Sequence, residues 1–236
     1  MPLDLLAIAA HRDDIEQTCG GTLIRMAEKG YRTGALDLTA GEMGTRGDAE
    51  TRAREAAEAA REMLLSWRGN AGLPDAKLEL SLPAKLAVAA KIRELRPRAV
   101  ILPYWEGRHP DHYRTSTLCY EACFLAGLKK LDLAGEPFRP AKILYASLYA
   151  NVRPSFVVDI TGQFERRMRA LLCYRSQFED QPAGANLFPA RDELIERIRS
   201  VARYYGMLIG VKYGEPFIVK EMISVDDVVK MPVRSI

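Results

Sequence analysis

The 236-residue chain is poor in the features that mark secreted, membrane-spanning and nucleic-acid-binding proteins. Its four cysteines form no Cys-x-x-Cys pair, and the apolar stretch near its start, residues 5–10, is far too short to span a bilayer. That stretch also lacks the basic region and the cleavage site of a signal peptide. The net charge is only +3, and there is no lysine-rich tail or aromatic RNP motif. We therefore expect a cytoplasmic protein with no membrane and no nucleic acid among its partners.

The composition is that of a globular protein with a sizeable core. Hydrophobic residues make up 48% of the chain and charged residues 28%. The length suits one α/β domain, or at most two small ones. Cys119 and Cys123 are spaced i,i+4 in an apolar helical pattern, which favours buried thiols over metal ligands or disulfides.

Apolar runs typical of strands alternate with helical patterns along most of the chain. Strands are predicted at residues 3–10, 33–38, 99–102, 142–149 and 156–160. Helices are predicted between them, two of them capped by Asp48 and Thr161, and a last long helix covers residues 191–205. This alternation indicates βαβ units, an α/β fold and a mostly parallel sheet. One domain over residues 1–236 is the simplest interpretation, and an appended subregion is expected from about residue 180.

All three histidines lie in two short acidic motifs, His-Arg-Asp-Asp at residues 11–14 and His-Pro-Asp-His at residues 109–112. Each motif follows a predicted strand, and ligands bind at the carboxyl edge of a parallel sheet. The two motifs can therefore meet in space although they lie far apart in sequence. Imidazole and carboxylate groups are the usual ligands of a catalytic divalent metal. The two motifs together predict a metal site at this edge.

These motifs, together with Gly20-Gly21-Thr22, resemble the signature of the LmbE/PIG-L zinc-dependent deacetylases. Later segments, such as Leu73-Pro74-Asp75 and Tyr174-Arg175-Ser176-Gln177-Phe178, are most similar to the branch that deacetylates N-acetylglucosaminyl-malate in bacillithiol biosynthesis. The resemblance implies a Rossmann-like three-layer sandwich, a small-molecule sugar substrate and a homo-oligomer, either a trimer or a hexamer. It also implies bound Zn²⁺, although Fe²⁺ would fit the same ligands.

The resemblance also assigns roles to individual residues. It implies that His11, Asp14 and His112 are the three metal ligands. It implies that Asp13 is the general base. His109 resembles the residue that stabilises the tetrahedral intermediate or protonates the leaving amine.

The chemistry of these groups agrees with that assignment. Two imidazoles and one carboxylate leave an open position on a metal, where water becomes acidic enough to supply hydroxide near neutral pH. Asp13, next to Asp14, can take the proton of that water. His109 can either stabilise the oxyanion or protonate the departing amine. Asp111 either orients a histidine or caps the following helix, and the pattern leaves both roles open.

Two arginines beyond the second predicted strand are candidate substrate ligands. Arg46 lies in a glycine-rich loop at residues 39–47, and Arg52, which lies in the helix after it, resembles an arginine of the family's substrate site. A guanidinium can bind a carboxylate through two hydrogen bonds, which would suit malate. Neither this loop nor Gly20-Gly21-Thr22 has the spacing of a nucleotide-binding loop. Close helix–strand packing is favoured for the latter.

Two positions depart from the family's pattern. Arg12 stands where proline is common, and Gly107 stands where the malate branch often has aspartate. Arg12 could change the charge at the rim of the cleft, and Gly107 could remove a polar contact near His109. Neither position belongs to the expected set of metal ligands.

Three classes of function fit these residues. The leading one is a metal hydrolase that removes acetyl from N-acetylglucosaminyl-malate or from another N-acetylglucosamine conjugate. Two histidines and one aspartate also describe the facial triad of iron(II) oxygenases, and a third class is a non-catalytic protein that binds a sugar or a metal. Asp13 beside Asp14 favours hydrolysis, because neither an oxygenase nor a binding protein needs a base that activates water.

Overall fold

The computed structural model describes residues 2–147, 151–179 and 189–233. The strands of its main sheet are β1 (Leu5–Ala9), β2 (Thr33–Thr39), β3 (Trp67–Leu73), β4 (Ala99–Pro103) and β5 (Lys142–Ala146). These strands are all parallel and follow the order β3-β2-β1-β4-β5. The strand order reverses between β1 and β4, and this is the point at which parallel sheets bind ligands.

Helices cover both faces of the sheet. In the described part of the chain they are α1 (Asp14–Thr18), α2 (Gly20–Glu28), α3 (Ala49–Glu62), α4 (Leu82–Leu95), α5 (Pro110–Ala126), α6 (Phe164–Leu172), α7 (Arg175–Phe178) and α8 (Arg191–Met207). On one face, α4 and α5 bury residues such as Ile92 and Leu118, and on the other α2, α3 and α6 bury residues such as Ile24 and Ala59. The predicted three-layer α/β fold is thus confirmed.

Local sequence explains where several helices begin. Asp48 caps α3 as predicted, since its Oδ1 accepts a hydrogen bond from the Thr51 amide at 2.7 Å. His109 caps α5, because its Nδ1 accepts from the amide of Asp111 at 3.2 Å. His109, rather than Asp111, therefore has the capping role, and the histidine is fixed to the helix that follows it.

The structure departs from the sequence prediction at a missed strand, at the pairing of one predicted strand and at one predicted helix cap. β3 was not predicted, because its residues are mostly half-buried at the sheet edge and its sequence is not continuously apolar. Phe156–Asp159 forms a strand, β6, that pairs antiparallel with an unpredicted strand, β7 (Gly214–Phe217), outside the parallel sheet. Thr161 does not cap α6, and its hydroxyl instead accepts from the Tyr213 amide at 3.2 Å.

The chain beyond residue 180 packs against the rest of the protein where it is described. Residues 180–188, where the appended subregion was expected to begin, lie outside the described residues, as do residues 148–150 at the end of the strand predicted for 142–149. Ala202 of α8 shares a buried cluster with Phe164 and Met168 of α6. Ile218 exchanges backbone hydrogen bonds with Tyr145 of β5 at 2.9 and 3.0 Å. Among the described helices, none has the length and hydrophobicity needed to cross a bilayer.

Candidate metal centre and active site

The loops after β1 and β4 bring three potential metal ligands together. His11 Nδ1 lies 3.3 Å from His112 Nε2 and 3.4 Å from Asp14 Oδ2. His112 Nε2 lies 3.2 Å from the same Asp14 oxygen. Metal–ligand bonds of about 2.0–2.2 Å in a tetrahedral arrangement separate the ligand atoms by roughly 3.3–3.6 Å. The three atoms therefore have the spacing that a single divalent cation requires.

Two carboxylates orient the His11 ring: Asp111, for which the sequence left this role open, and Asp75, to which it assigned no role. His11 Nε2 lies 3.1 Å from Asp75 Oδ1 and 3.5 Å from Asp111 Oδ2. In the tautomer that carries its proton on Nε2, His11 donates to these carboxylates. The lone pair of Nδ1 then points towards Asp14 and His112. Such a carboxylate–histidine pair is the usual outer support of a metal ligand.

The charge balance of the cluster also calls for a cation. Burial alone would lower the pKa of His11, but Asp14, Asp111 and Asp75 outweigh it and raise that pKa to about 12. Burial alone would raise the pKa of Asp14, yet His112 and His11 hold it well below its usual value. The buried Oδ1 of Asp111 has no hydrogen-bond partner among the described residues. Carboxylates concentrated in this way fit a bound divalent metal.

Asp13 lies beside the three potential ligands and is held by two donors. Arg52 Nη2 donates to its Oδ1 at 3.3 Å, and Gln17 Nε2 donates to its Oδ2 at 3.2 Å. Burial raises the pKa of Asp13, and the positive charge of Arg52 offsets part of that increase. A carboxylate of raised pKa next to a metal site is chemically suited to accept a proton.

The ring of His109 stacks on that of His112 and meets the ring of His11 edge-on. Its centroid lies 4.7 Å from that of His112 and 4.8 Å from that of His11. Burial lowers the pKa of His109, and the neighbouring His112 and His11 lower it further. Since its Nδ1 accepts the Asp111 amide, the neutral ring carries its proton on Nε2. His109 can thus donate a hydrogen bond or a proton.

The two predicted substrate arginines lie in different surroundings, and both are buried. Arg52 reaches Asp13 and also donates from Nη1 to the carbonyl of Gly41 at 3.2 Å. Gly41 has φ +72°, and a Cβ there would lie 2.1 Å from the Arg52 guanidinium, so glycine is required. Arg46 instead donates to the carbonyl of Gln177 at 2.9 Å, and its own carbonyl accepts from the Gln177 side chain at 2.6 Å. The structure brings Arg52, but not Arg46, into contact with Asp13.

A buried network that sequence reasoning missed supports the first histidine motif. Arg68 binds both oxygens of Asp37 at 3.0 Å, and it also donates to Glu16 at 2.5 Å. Its Nη2 donates to the carbonyl of Arg12 at 2.5 Å, and the hydroxyl of Tyr174 donates to that same carbonyl. Arg68 lies in β3, the strand that the sequence pattern did not reveal. Two donors therefore fix the backbone at the centre of the motif.

The two departures from the family's pattern are structurally unlike each other. The Arg12 guanidinium donates to the carbonyl of Ala49 at 2.5 Å, which ties the motif to the start of α3. Gly107 has space around it, because no described atom lies within 4 Å of the position that a Cβ would take. A larger side chain would fit at position 107.

Gly20-Gly21-Thr22 is a packing site, as predicted. A Cβ on Gly21 would lie 2.9 Å from Glu215 Oε1 and 2.9 Å from the Ile160 side chain. The Glu215 carboxylate accepts from the amides of Gly21 and Thr22 at 2.8 and 2.7 Å. The glycine thus allows β7 to approach the N-terminus of α2.

Comparison with known proteins agrees with this architecture. The chain is 30% identical to the diacetylchitobiose deacetylase of Thermococcus kodakarensis, with 89% of this chain and 80% of the relative covered. It is 29% identical to the 1D-myo-inositol 2-acetamido-2-deoxy-α-D-glucopyranoside deacetylase of Rhodococcus jostii, with 66% and 65% covered. The conserved protein TT1542 of Thermus thermophilus superposes with a TM-score of 0.86 at 42% identity, covering 95% of this chain and 98% of that one.

A model of one protein family matches residues 6–123, which include both histidine motifs. Its description is PIG-L, GlcNAc-PI de-N-acetylase. Together with the 30% identity over most of the T. kodakarensis enzyme, this match identifies the chain as a member of the PIG-L family of de-N-acetylases.

Proposed function

We propose that the chain is a metal-dependent hydrolase that removes the acetyl group from an N-acetylglucosamine conjugate. The observation that carries this proposal is the cluster of His11, Asp14 and His112, with Asp13 held beside it. We propose these three residues as the ligands of one cation, Zn²⁺, with Fe²⁺ as the alternative that suits the same donors. The two curated relatives described above act on 2-acetamido sugars, which supports the substrate class.

The remaining polar residues suit amide hydrolysis. A divalent cation in this site would polarise the amide carbonyl. It would also lower the pKa of water, so that hydroxide is available as the nucleophile near neutral pH. Asp13 would accept the proton of the attacking water, with its carboxylate oriented by Arg52 and Gln17. His109 would donate from Nε2 to the oxyanion or to the leaving amine. Asp111 would act indirectly, by supporting His11 and by engaging the Ala76 amide at 2.9 Å.

The malate conjugate of bacillithiol biosynthesis is the substrate that we propose in particular. Its two carboxylates would be bound by positively charged side chains close to the reacting amide. Arg52 and Arg46 are the proposed ligands, and Arg52 has the stronger support because it reaches Asp13.

A homo-oligomer, either a trimer or a hexamer, belongs to the same proposal. Apolar side chains are exposed at the end of α8 and just after it, including Met207 at 67% and Leu208 at 50% exposure. Burial of such side chains between subunits would be favourable.

Asp13 also separates hydrolysis from the other two classes of function. A facial-triad oxygenase or a simple binding protein has no use for a carboxylate that two donors hold beside a complete set of ligands. The two hydrogen bonds that hold Asp13 in place favour its role as the base that activates water.

The test is an assay of acetate release from N-acetylglucosaminyl-malate and free N-acetylglucosamine, with the bound metal identified by elemental analysis. The Asp13→Asn variant should keep its metal and lose about 10²–10⁴-fold in kcat. Asp226→Asn, an exposed aspartate, is the control. Absence of acetate release from both substrates by the metal-loaded wild type would refute the proposal, as would full turnover in Asp13→Asn.

A further inference from the structure

A large cavity extends from the candidate active site along α8. Its volume is about 910 Å³, and its lining includes Asp13 and Gln17 as well as residues of α8. Pockets of about 300–1,000 Å³ hold ligands of drug size, so this volume exceeds the needs of a single sugar. Asp13, the candidate base, lies in its wall, whereas His11, Asp14 and His112 do not, so the cavity begins beside the metal cluster at Asp13.

The residues of α8 that line the cavity form two rows at helical spacing, and Glu196 lines it as well. Leu194, Ile198, Val201 and Tyr205 follow one another at intervals of four, three and four residues and form an apolar row. The adjacent row is more polar, with Glu193 paired to Arg197 and with Ser200 and Tyr204 farther along.

The apolar row is long, and its exposure differs along its length: Leu194 and Ile198 are half-buried and Tyr205 is buried, whereas Val201 is exposed. From its first member to its last it rises about 17 Å along α8, at about 1.5 Å per residue. Val201 is 54% exposed, although α8 buries Ala202 against α6. The side of α8 facing the cavity thus leaves apolar surface available to a ligand that starts at Asp13.

We infer that this cavity is an aglycone subsite that accepts N-acetylglucosaminides with an apolar aglycone of aryl or alkyl type. This inference rests on the proposed function, because it places the acetamido group at Asp13 and the aglycone along α8. The apolar row would bury the ring or chain, and the polar row would face hydroxyl or carboxyl groups of the same aglycone. The enzyme would then act on such glycosides in addition to acidic conjugates.

The test compares benzyl N-acetylglucosaminide with free N-acetylglucosamine in the metal-loaded enzyme. Val201→Ser removes apolar surface from the subsite, and Val229→Ser is the matched control, since Val229 is 90% exposed and does not line the cavity. We expect wild type to prefer the benzyl glycoside in kcat/KM. Val201→Ser should reduce kcat/KM for that glycoside about three- to tenfold and leave the free sugar unaffected. Val229→Ser should change neither.

Binding of benzyl glucosaminide, the deacetylated product, is measured in parallel by calorimetry and does not depend on turnover. If neither substrate releases acetate, and N-acetylglucosaminyl-malate releases none either, the proposed function fails, and the subsite is still supported if Val201→Ser alone weakens binding. Equal kcat/KM values for the two substrates in wild type would overturn the inference and leave the deacetylase intact. Equal behaviour of the two variants would overturn it too. A change of oligomeric state in Val201→Ser alone, seen by sedimentation, would assign Val201 to a subunit contact and also overturn it.

Discussion

Arg52 donates to the carboxylate of Asp13 at 3.3 Å, and this contact joins α3 to the first histidine motif. Arg52 is only 5% exposed, and its Nε has no hydrogen-bond partner among the described residues. Nη2 thus supports the candidate base and Nη1 holds the Gly41 carbonyl, whereas Nε is enclosed by the protein. Because each terminal nitrogen carries two N–H donors, a second N–H on Nη1 or Nη2 is the group proposed to bind a substrate carboxylate.

Replacement of Arg52 by alanine separates these two roles. We expect Arg52→Ala to lower kcat/KM for free N-acetylglucosamine about tenfold, because Asp13 loses a donor. The loss for N-acetylglucosaminyl-malate should be about ten- to a hundredfold larger, the value of a charge-assisted hydrogen bond. Steady-state kinetics with both substrates measures this, with Arg54→Ala as the control, an exposed arginine of the same helix. An equal loss of kcat/KM for both substrates would show that Arg52 does not bind the malate carboxylates. An unchanged kcat/KM for the free sugar would show that Arg52 does not support Asp13.

The proposed metal ligands should differ from His109 in metal content. His112→Ala removes one corner of the ligand triangle, so we expect the purified variant to retain little metal and no activity. His109→Ala removes a ring that stacks on the site, and it should retain its metal while kcat falls. Elemental analysis of both variants against wild type is the measurement. Full metal content in His112→Ala would disprove its assignment as a ligand.

Asp75 should affect metal affinity without touching the metal. Asp75→Asn weakens the partner that fixes His11 Nε2, so we expect metal affinity to fall about ten- to a hundredfold. Competition with a chelator of known affinity measures this, and Asp226→Asn is again the exposed control. An affinity equal to that of wild type would mean that Asp111 alone is sufficient to orient the His11 ring.

Glu215 should matter for stability rather than for catalysis. Its buried carboxylate accepts from the amides of Gly21 and Thr22 and pairs with Arg167 at 3.3 Å. Glu215→Gln replaces one acceptor by a donor that faces other donors, which should cost about 2–4 kcal/mol in the free energy of unfolding. For a chain of this size that corresponds to a fall in Tm of roughly 4–16 °C. Calorimetry should show this shift, whereas Glu165→Gln, an exposed glutamate, should leave Tm unchanged.

The sequence alone determined the α/β fold and the meeting of the two histidine motifs. Both conclusions depend on local patterns, because a buried parallel strand is apolar along its length and its carboxyl end lies at a known edge of the sheet. The cap at Asp48 was equally local, since its partner lies three residues away at Thr51. The cap predicted at Thr161 failed because the amide of the distant Tyr213 takes that hydroxyl, so local features could be predicted where no tertiary contact competes.

Only the tertiary structure decided which polar groups surround the site. His11 and Asp75 are 64 residues apart in sequence, and Arg68 and Glu16 are 52 apart. Glu215 lies 194 residues from Gly21, in a strand too short and too mixed in composition to be recognised. A buried charge is stable only if it is paired, but no periodicity in the sequence says which distant residue provides the partner. These partners are determined only when the helices pack against the sheet.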